Sequence, residues 1–262
     1  MKKINKYFRI WLLMTKNTFL ANTQRKLGFS IFFIGKVLRF FLSFLFLAYV
    51  MRGGYHLAGY DEKQVIFFYL TYIFIDTLAQ TFFRNVYSFR PLVVSGGFDL
   101  VLVKPVNALF RVLLGGMDMI DVATLPLFLA ALLWSGSTLD PSIIHVLLYF
   151  MMIINSLVIA AAFHIFVMSV GIITFEIDHL IMIYRDIENM GRFPVDIYRE
   201  PLKSVLTFFV PIGIMMTFPV KVFLGVSPLS MVFVSMAIAG IMFYLSLLFW
   251  KYALKRYTSA SS

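Results

Sequence analysis

The sequence predicts an all-α integral membrane protein, with six transmembrane helices, amphipathic helices in the membrane interface and both termini cytoplasmic. Three observations lead there. Of 262 residues, 61% are hydrophobic and only 14% charged, against roughly 45–50% apolar in soluble domains. Six apolar runs approach the about 20 residues needed to cross about 30 Å of hydrocarbon. Lysine and arginine fall almost entirely on one side of those runs, which sets orientation.

The N-terminal segment 1–29 reads as an amphipathic interfacial helix. Ile4, Tyr7, Phe8, Trp11, Leu12 and Phe19 share one side, and Lys2, Lys6, Arg9 and Lys16 lie largely opposite. Its longest uninterrupted apolar run, 10–14, is too short for a signal-peptide core, so it is expected to stay in the mature protein. Residues 30–262 form a single transmembrane domain whose six spans are 31–50, 65–83, 108–134, 143–175, 204–224 and 229–250. The fourth run has length to spare for tilt. Small residues in the fourth and sixth runs (Ser156, Ala160, Ala161, Ala162; Ser235, Ala239, Gly240) permit close helix contact.

With the N-terminus inside, the cytoplasmic segments carry all lysines and arginines but Arg52, Lys63 and Lys221. The +10 net charge therefore reads as topology and attraction to anionic lipid, not as nucleic-acid binding. Two cytoplasmic segments stand out. In 85–107, Phe98, Val101 and Leu102 share a helical face, Asp99 suits the positive N-terminal end, and Lys104 suits the negative C-terminal end. Pro105 stops the helix, and Gly96 and Gly97 hinge it. The elbow 176–203 spaces Ile177, Leu180, Ile181, Tyr184 and Ile187 at helical intervals before Gly191, with Pro194 and Pro201 beyond. Glu176, Asp178 and His179 are crowded into one turn there and read as a solvated face, not as metal ligands.

Asp76 lies in the second run, and Asp118 and Asp121 one turn apart in the third. Charges at that depth are costly, so each should face the bundle interior and find a partner among Lys36, Arg39, Arg84 and Arg111. Buried pairing is one role for these acids, and a translocation or proton path is the other. Pro211 and Pro219 remove amide donors from the fifth run and predict a kinked gate element, with Lys221 near its outer exit.

No phosphate loop, zinc-protease helix, serine elbow or histidine pair at ligand spacing occurs, and there is no cysteine. No metal or cofactor is expected in this chain. His164, within the fourth span, suits packing with one satisfied hydrogen bond. Three function classes follow: a permease energised by a partner; an ion-coupled secondary transporter or channel using Asp76, Asp118 and Asp121; and a membrane-embedded enzyme built on residues such as His164 or Asp118.

The stretches SGGFDLVLVKPVNALF (residues 95–110) and FPVDIY…TFFVP…PVKVFLG (within 193–225) resemble the membrane subunits of type-2 ATP-binding-cassette exporters, the six-span bacterial permeases without a fused ATPase. That resemblance implies an inner-membrane subunit that pairs with a second permease and with separate ATPase subunits binding ATP and Mg. It assigns Gly96, Gly97, Phe98, Asp99, Val101, Leu102, Lys104 and Pro105 to a coupling helix received by the ATPase. The N-terminal helix becomes the connecting helix beside it, and the broken fifth run becomes an outer re-entrant gate. Exported substrates in such a family are drugs, lipids, glycans or peptides; the aromatic content suits an amphipathic one.

Overall fold

The computed structural model describes residues 2–23, 26–52, 56–174 and 176–258. Arg25 and the last residue of the 143–175 run lie outside the described residues, as do the side chains of Lys2, Lys3 and Lys26. All named elements are helical. Among the described residues, five helices are long and apolar enough to cross a membrane, and a bent pair, Leu202–Phe209 with Gly213–Phe223, would make a sixth if it were one span.

Helix α1 (Lys2–Thr23) leads into α2 (Lys26–Met51), which runs to the distal end and presents Ile31, Phe32, Ile34, Leu38, Phe41 and Phe46 outward. α3 (Glu62–Phe83) returns. Asp61 starts it with a capping box, accepting from the Gln64 amide at 2.8 Å while the Gln64 side chain accepts from the Asp61 amide at 3.1 Å. The helix is mostly apolar on every side, buries Thr71, Asp76, Thr77, Gln80 and Thr81 along with its apolar residues, and becomes the buried axis of the bundle. At the basal end come α4 (Phe89–Val94), α5 (Gly97–Leu102) and α6 (Ala108–Leu113). Helices α7 (Met119–Ser137) and α8 (Ile143–Thr174) complete the next up-and-down pair, and α12 (Leu229–Arg256) packs along α8. Ser156, Ala160, Ser235 and Ala239 are buried, as their small size requires, and the Asn155 amide reaches the Ser235 carbonyl at 3.3 Å. Gly240 has no neighbour at its Cβ position and takes no part in this contact.

Three expectations are corrected. The run 108–134 is not one span. Its chain breaks between α6 and α7, and Asp118 is the N-cap of α7, accepting from the Ile120 and Asp121 amides at 2.9 and 3.0 Å.

The elbow 176–203 does not stay beside 85–107. Helix α9 (Asp178–Asn189) climbs α3: Tyr184 lies against Phe163 and His164, Arg185 against Asp76, and Asn189 accepts from Tyr72. Beyond it, the Val195 amide donates to Thr217, and Asp196 accepts from the Tyr60 hydroxyl at 3.2 Å, just before the α3 N-cap. From Asp76 to Tyr60 is about 24 Å of helix rise. The segment thus crosses most of the bundle, and Arg199 and Lys203 belong to the distal end.

The run 204–224 is no crossing. Lys203 and Lys221 both bond Asp196, at 2.9 and 2.6 Å, yet eighteen residues of straight helix would hold them about 27 Å apart. The chain instead folds back as a re-entrant hairpin, in which α10 (Leu202–Ser204) continues as a π turn to Phe209. A 77° bend then leads through a second π turn into α11 (Phe218–Phe223). Pro211 sits at that bend, whereas Pro219 lies in the first turn of α11, within the continuous stretch Gly213–Phe223. The Ser156 hydroxyl donates to the Met215 carbonyl at 2.6 Å, serving one of the groups that the irregular turns would otherwise leave bare. Gly191 lets the crossing segment touch the hairpin, because a Cβ there would meet Ile212 Cγ2 at 2.7 Å and Met216 Cγ at 2.8 Å.

Since the chain lacks cysteine, this path is directly checkable. An impermeant maleimide should label Arg199→Cys from the same side of the membrane as Lys63→Cys, and from the side opposite Lys104→Cys. Labelling of Arg199→Cys together with Lys104→Cys would return 176–203 to the basal end.

Candidate functional site

The basal surface is built on α5. Gly96 adopts φ 73°, a left-handed turn that lets α5 fold back on α4. Phe98 is fully buried, its ring 5.2 Å from Phe89, 6.3 Å from Trp250 and 5.2 Å from Tyr257. Val101 is buried as well. These two residues hold the helix on the bundle, and the outward face consists of Leu100, 66% exposed, and Val103, 78% exposed, with Leu102, Lys104 and Pro105 beside them. Leu100 and Val103 escaped the sequence reading because Phe98, Val101 and Leu102 looked like the apolar stripe; the missing information was which side of a two-turn helix the bundle covers. Asp99 lies next to Tyr257, and partial burial together with that carboxylate pushes the tyrosine hydroxyl up to about 12.

Helix α1 braces this region. Lys6 donates to the Pro105 carbonyl, the Tyr7 hydroxyl accepts from the Asn107 amide at 3.2 Å and its ring meets Phe110 at 4.8 Å, and Thr15 accepts from the Met117 amide. The expected apolar stripe of α1 therefore splits. Tyr7 and Trp11 face the bundle, whereas Ile4, Phe8 and Leu12 remain outward. The Arg90 guanidinium on α4 pairs with Glu176 and Asp178 at 3.6 and 3.5 Å, joining the same region to the turn after α8.

The second constellation lies inside the bundle. Asp76, Asp118 and Asp121 all line one cavity of about 460 Å³ between α2, α3, α7 and α9. Each has a cation. Asp121 bonds Lys36, Asp118 stands 4.0 Å from Arg84, and Asp76 bonds Arg185 at 2.6 Å. The first two partners were among the four expected. Arg185 was not, because its helix had been assigned elsewhere; an unmatched Asp76 and a polar helix with a clear apolar stripe were the signals that could have joined them. Arg185 also bonds Glu188 at 3.0 Å, and Glu188, 1% exposed, accepts from the Tyr184 hydroxyl. Arg111 joins none of these pairs; it lines a separate basal cavity with Asn85 and Val112.

His164 Nδ1 lies 2.7 Å from the Ala160 carbonyl, with its ring packed between Phe83 and Tyr184. At the distal end, Lys221 is tied to Asp196 and so holds the hairpin to the crossing segment. The chemistry available is therefore charge and shape: a basal face for contact, a charged cavity between the helices, and a distal hairpin fastened by one carboxylate.

No curated protein and no solved structure matches the chain significantly. The model of the family described as ABC-2 family transporter protein matches residues 37–261. The chain thus belongs to the ABC-2 transporter family, as a multi-pass membrane permease of an ABC transporter whose own role is transport and not catalysis.

Proposed function

We propose that this permease is half of an ATP-driven exporter in the bacterial cytoplasmic membrane, with the basal end and both termini in the cytoplasm. It pairs with a second permease and with ATPase subunits that bind ATP and Mg, and it moves an amphipathic substrate by alternating access. The observation that carries the reading is α5, anchored through Phe98 and Val101 while Leu100 and Val103 project from the basal end. Exposed apolar residues on a short, rigidly seated helix suit a partner's groove. The bend at Pro211 and the Asp196 tie make the hairpin a distal gate. The basic residues of α1, of 84–111 and of the C-terminal tail all sit at the basal end, which supports its cytoplasmic placement even with Arg199 and Lys203 reassigned.

The test separates docking from folding. Leu100→Asp/Val103→Asp should abolish co-purification of the ATPase, with at least a tenfold loss of binding by the usual cost of burying charges. Its melting temperature should match that of the wild-type protein. Retained ATPase binding would overturn the assignment of α5. Gradient-driven flux by the purified protein without ATP or partner would overturn the whole reading in favour of ion coupling through the aspartates.

A further inference from the structure

A recess beside the charged cavity is lined by two arginines that its carboxylates do not serve. Lys36, Arg84 and Arg185 each face an acid. Among the described residues, no carboxylate lies within ion-pair distance of Arg39 or Arg192. Arg39, on α2, has its guanidinium 5.1 Å from the Phe40 ring centre. Arg192, in the turn after α9, stands 5.9 Å from the Tyr72 ring centre and donates once, to Asn189 at 3.3 Å; its Nε is buried with no hydrogen-bond partner. Both line one recess of about 120 Å³, together with the side chains of Ser43, Tyr69 and Tyr72. Arg39, Asp76 and Arg185 belong equally to that recess and to the 460 Å³ cavity, so the two spaces share a wall.

A guanidinium stays charged at any physiological pH and presents planar donors that match an oxyanion. Asp76, on the shared wall, is already bonded to Arg185, so the Arg39 and Arg192 guanidiniums lack an ion pair at the depth of the α2 span, which is costly unless something negative sits between them. The wider cavity supplies the other half of the pattern. It is walled by Ile31 and Phe32 of α2, each 69% exposed along the apolar face of that helix.

We propose that the recess between Arg39 and Arg192 seats an oxyanion headgroup, carboxylate, phosphate or sulfate, of an amphiphile whose apolar part lies along Ile31 and Phe32. This gives a chemical class to the cargo of the transport reading, on which it rests. The neutralised Lys36, Arg84 and Arg185 shape the cavity, and the two unmatched arginines select the charge.

The experiment needs no ATPase, so its outcome is independent of whether the basal face binds one. Wild-type protein is reconstituted in nanodiscs of equimolar phosphatidylcholine and phosphatidylglycerol and re-extracted in a neutral detergent, and the retained lipid is quantified by mass spectrometry. Phosphatidylglycerol should be retained in excess. In Arg39→Gln/Arg192→Gln that excess should fall about tenfold, the usual scale of a lost charge-assisted hydrogen bond, whereas Arg9→Gln on α1 should leave it unchanged. Arg39→Lys/Arg192→Lys, which keeps the charge, should retain an intermediate excess and guards against a folding defect. A second arm adds inorganic phosphate to the detergent-purified protein. A rise in melting temperature that disappears in the double glutamine variant, without lipid selectivity, would support the oxyanion site and assign it to a soluble anion. Equal retention of both lipids with no phosphate effect would overturn the proposal, as would an excess of phosphatidylglycerol that survives the double glutamine variant.

Discussion

Arg185→Leu is expected to destabilise the bundle by about 3–5 kcal/mol, the usual cost of removing one member of a buried ion pair. Asp76→Asn should cost less, about 1–3 kcal/mol, the scale of a buried polar group that loses a partner. The asymmetry follows from the triad. Arg185 stands between Asp76 at 2.6 Å and Glu188 at 3.0 Å, so deleting Asp76 leaves the guanidinium its second carboxylate. Deleting Arg185 removes the ion-pair partner of both acids at once, one of them 1% exposed. The consequence reaches beyond stability, because Arg185 is where α9 is fastened to α3. Thermal unfolding in detergent should show the larger shift for Arg185→Leu, and limited proteolysis should cut near residues 190–200 in that variant first. Equal shifts for the two variants would mean that Glu188 contributes nothing to holding Arg185.

Phe98→Ala should release α5 from the bundle. A fully buried phenylalanine truncated to alanine costs about 3–5 kcal/mol, and here its ring touches Phe89, Trp250 and Tyr257 together. Few other contacts hold a two-turn helix, so the loss should be local. Hydrogen exchange should rise across residues 96–104, Trp250 emission should shift red, and the melting of the long helices should move little. Partner binding should fall too, but for a different reason than in Leu100→Asp/Val103→Asp, where the helix stays seated and its outer face is spoiled. Unchanged exchange in Phe98→Ala would show that α4 and α6 alone hold α5 in place.

Much of this protein was legible from residue order alone. Runs of apolar residues long enough to cross hydrocarbon mark α2, α3, α8 and α12 because a bilayer punishes any other backbone arrangement. The capping and stopping residues of α5 mark a short helix for equally local reasons: Gly96 takes a left-handed φ, and Pro105 ends the helix. The partners of Asp118 and Asp121 were among the few cations placed at the right depth.

The crossing made by α9 was not legible. A segment with Asp178, His179, Arg185, Asp186 and Glu188 within eleven residues looks solvated by composition. It enters the bundle because Asp76 and Tyr72 on α3 and His164 and Phe163 on α8 supply the partners that water would otherwise provide. The fifth run fails as a membrane span for the complementary reason, although the family resemblance implies a re-entrant gate there. It is apolar enough to cross, but Lys203 and Lys221 both need Asp196, and that shared partner folds it back.

The sequence by itself determined that this chain lives in a membrane, that α2, α3, α8 and α12 span it and where a short basal helix begins and ends, since those depend on transfer free energy and backbone geometry within one segment. Only the tertiary structure decided which face of that helix is free, which segment makes the crossing between α8 and α12, and which two arginines are left without an ion pair, because each depends on pairing between groups far apart in the chain.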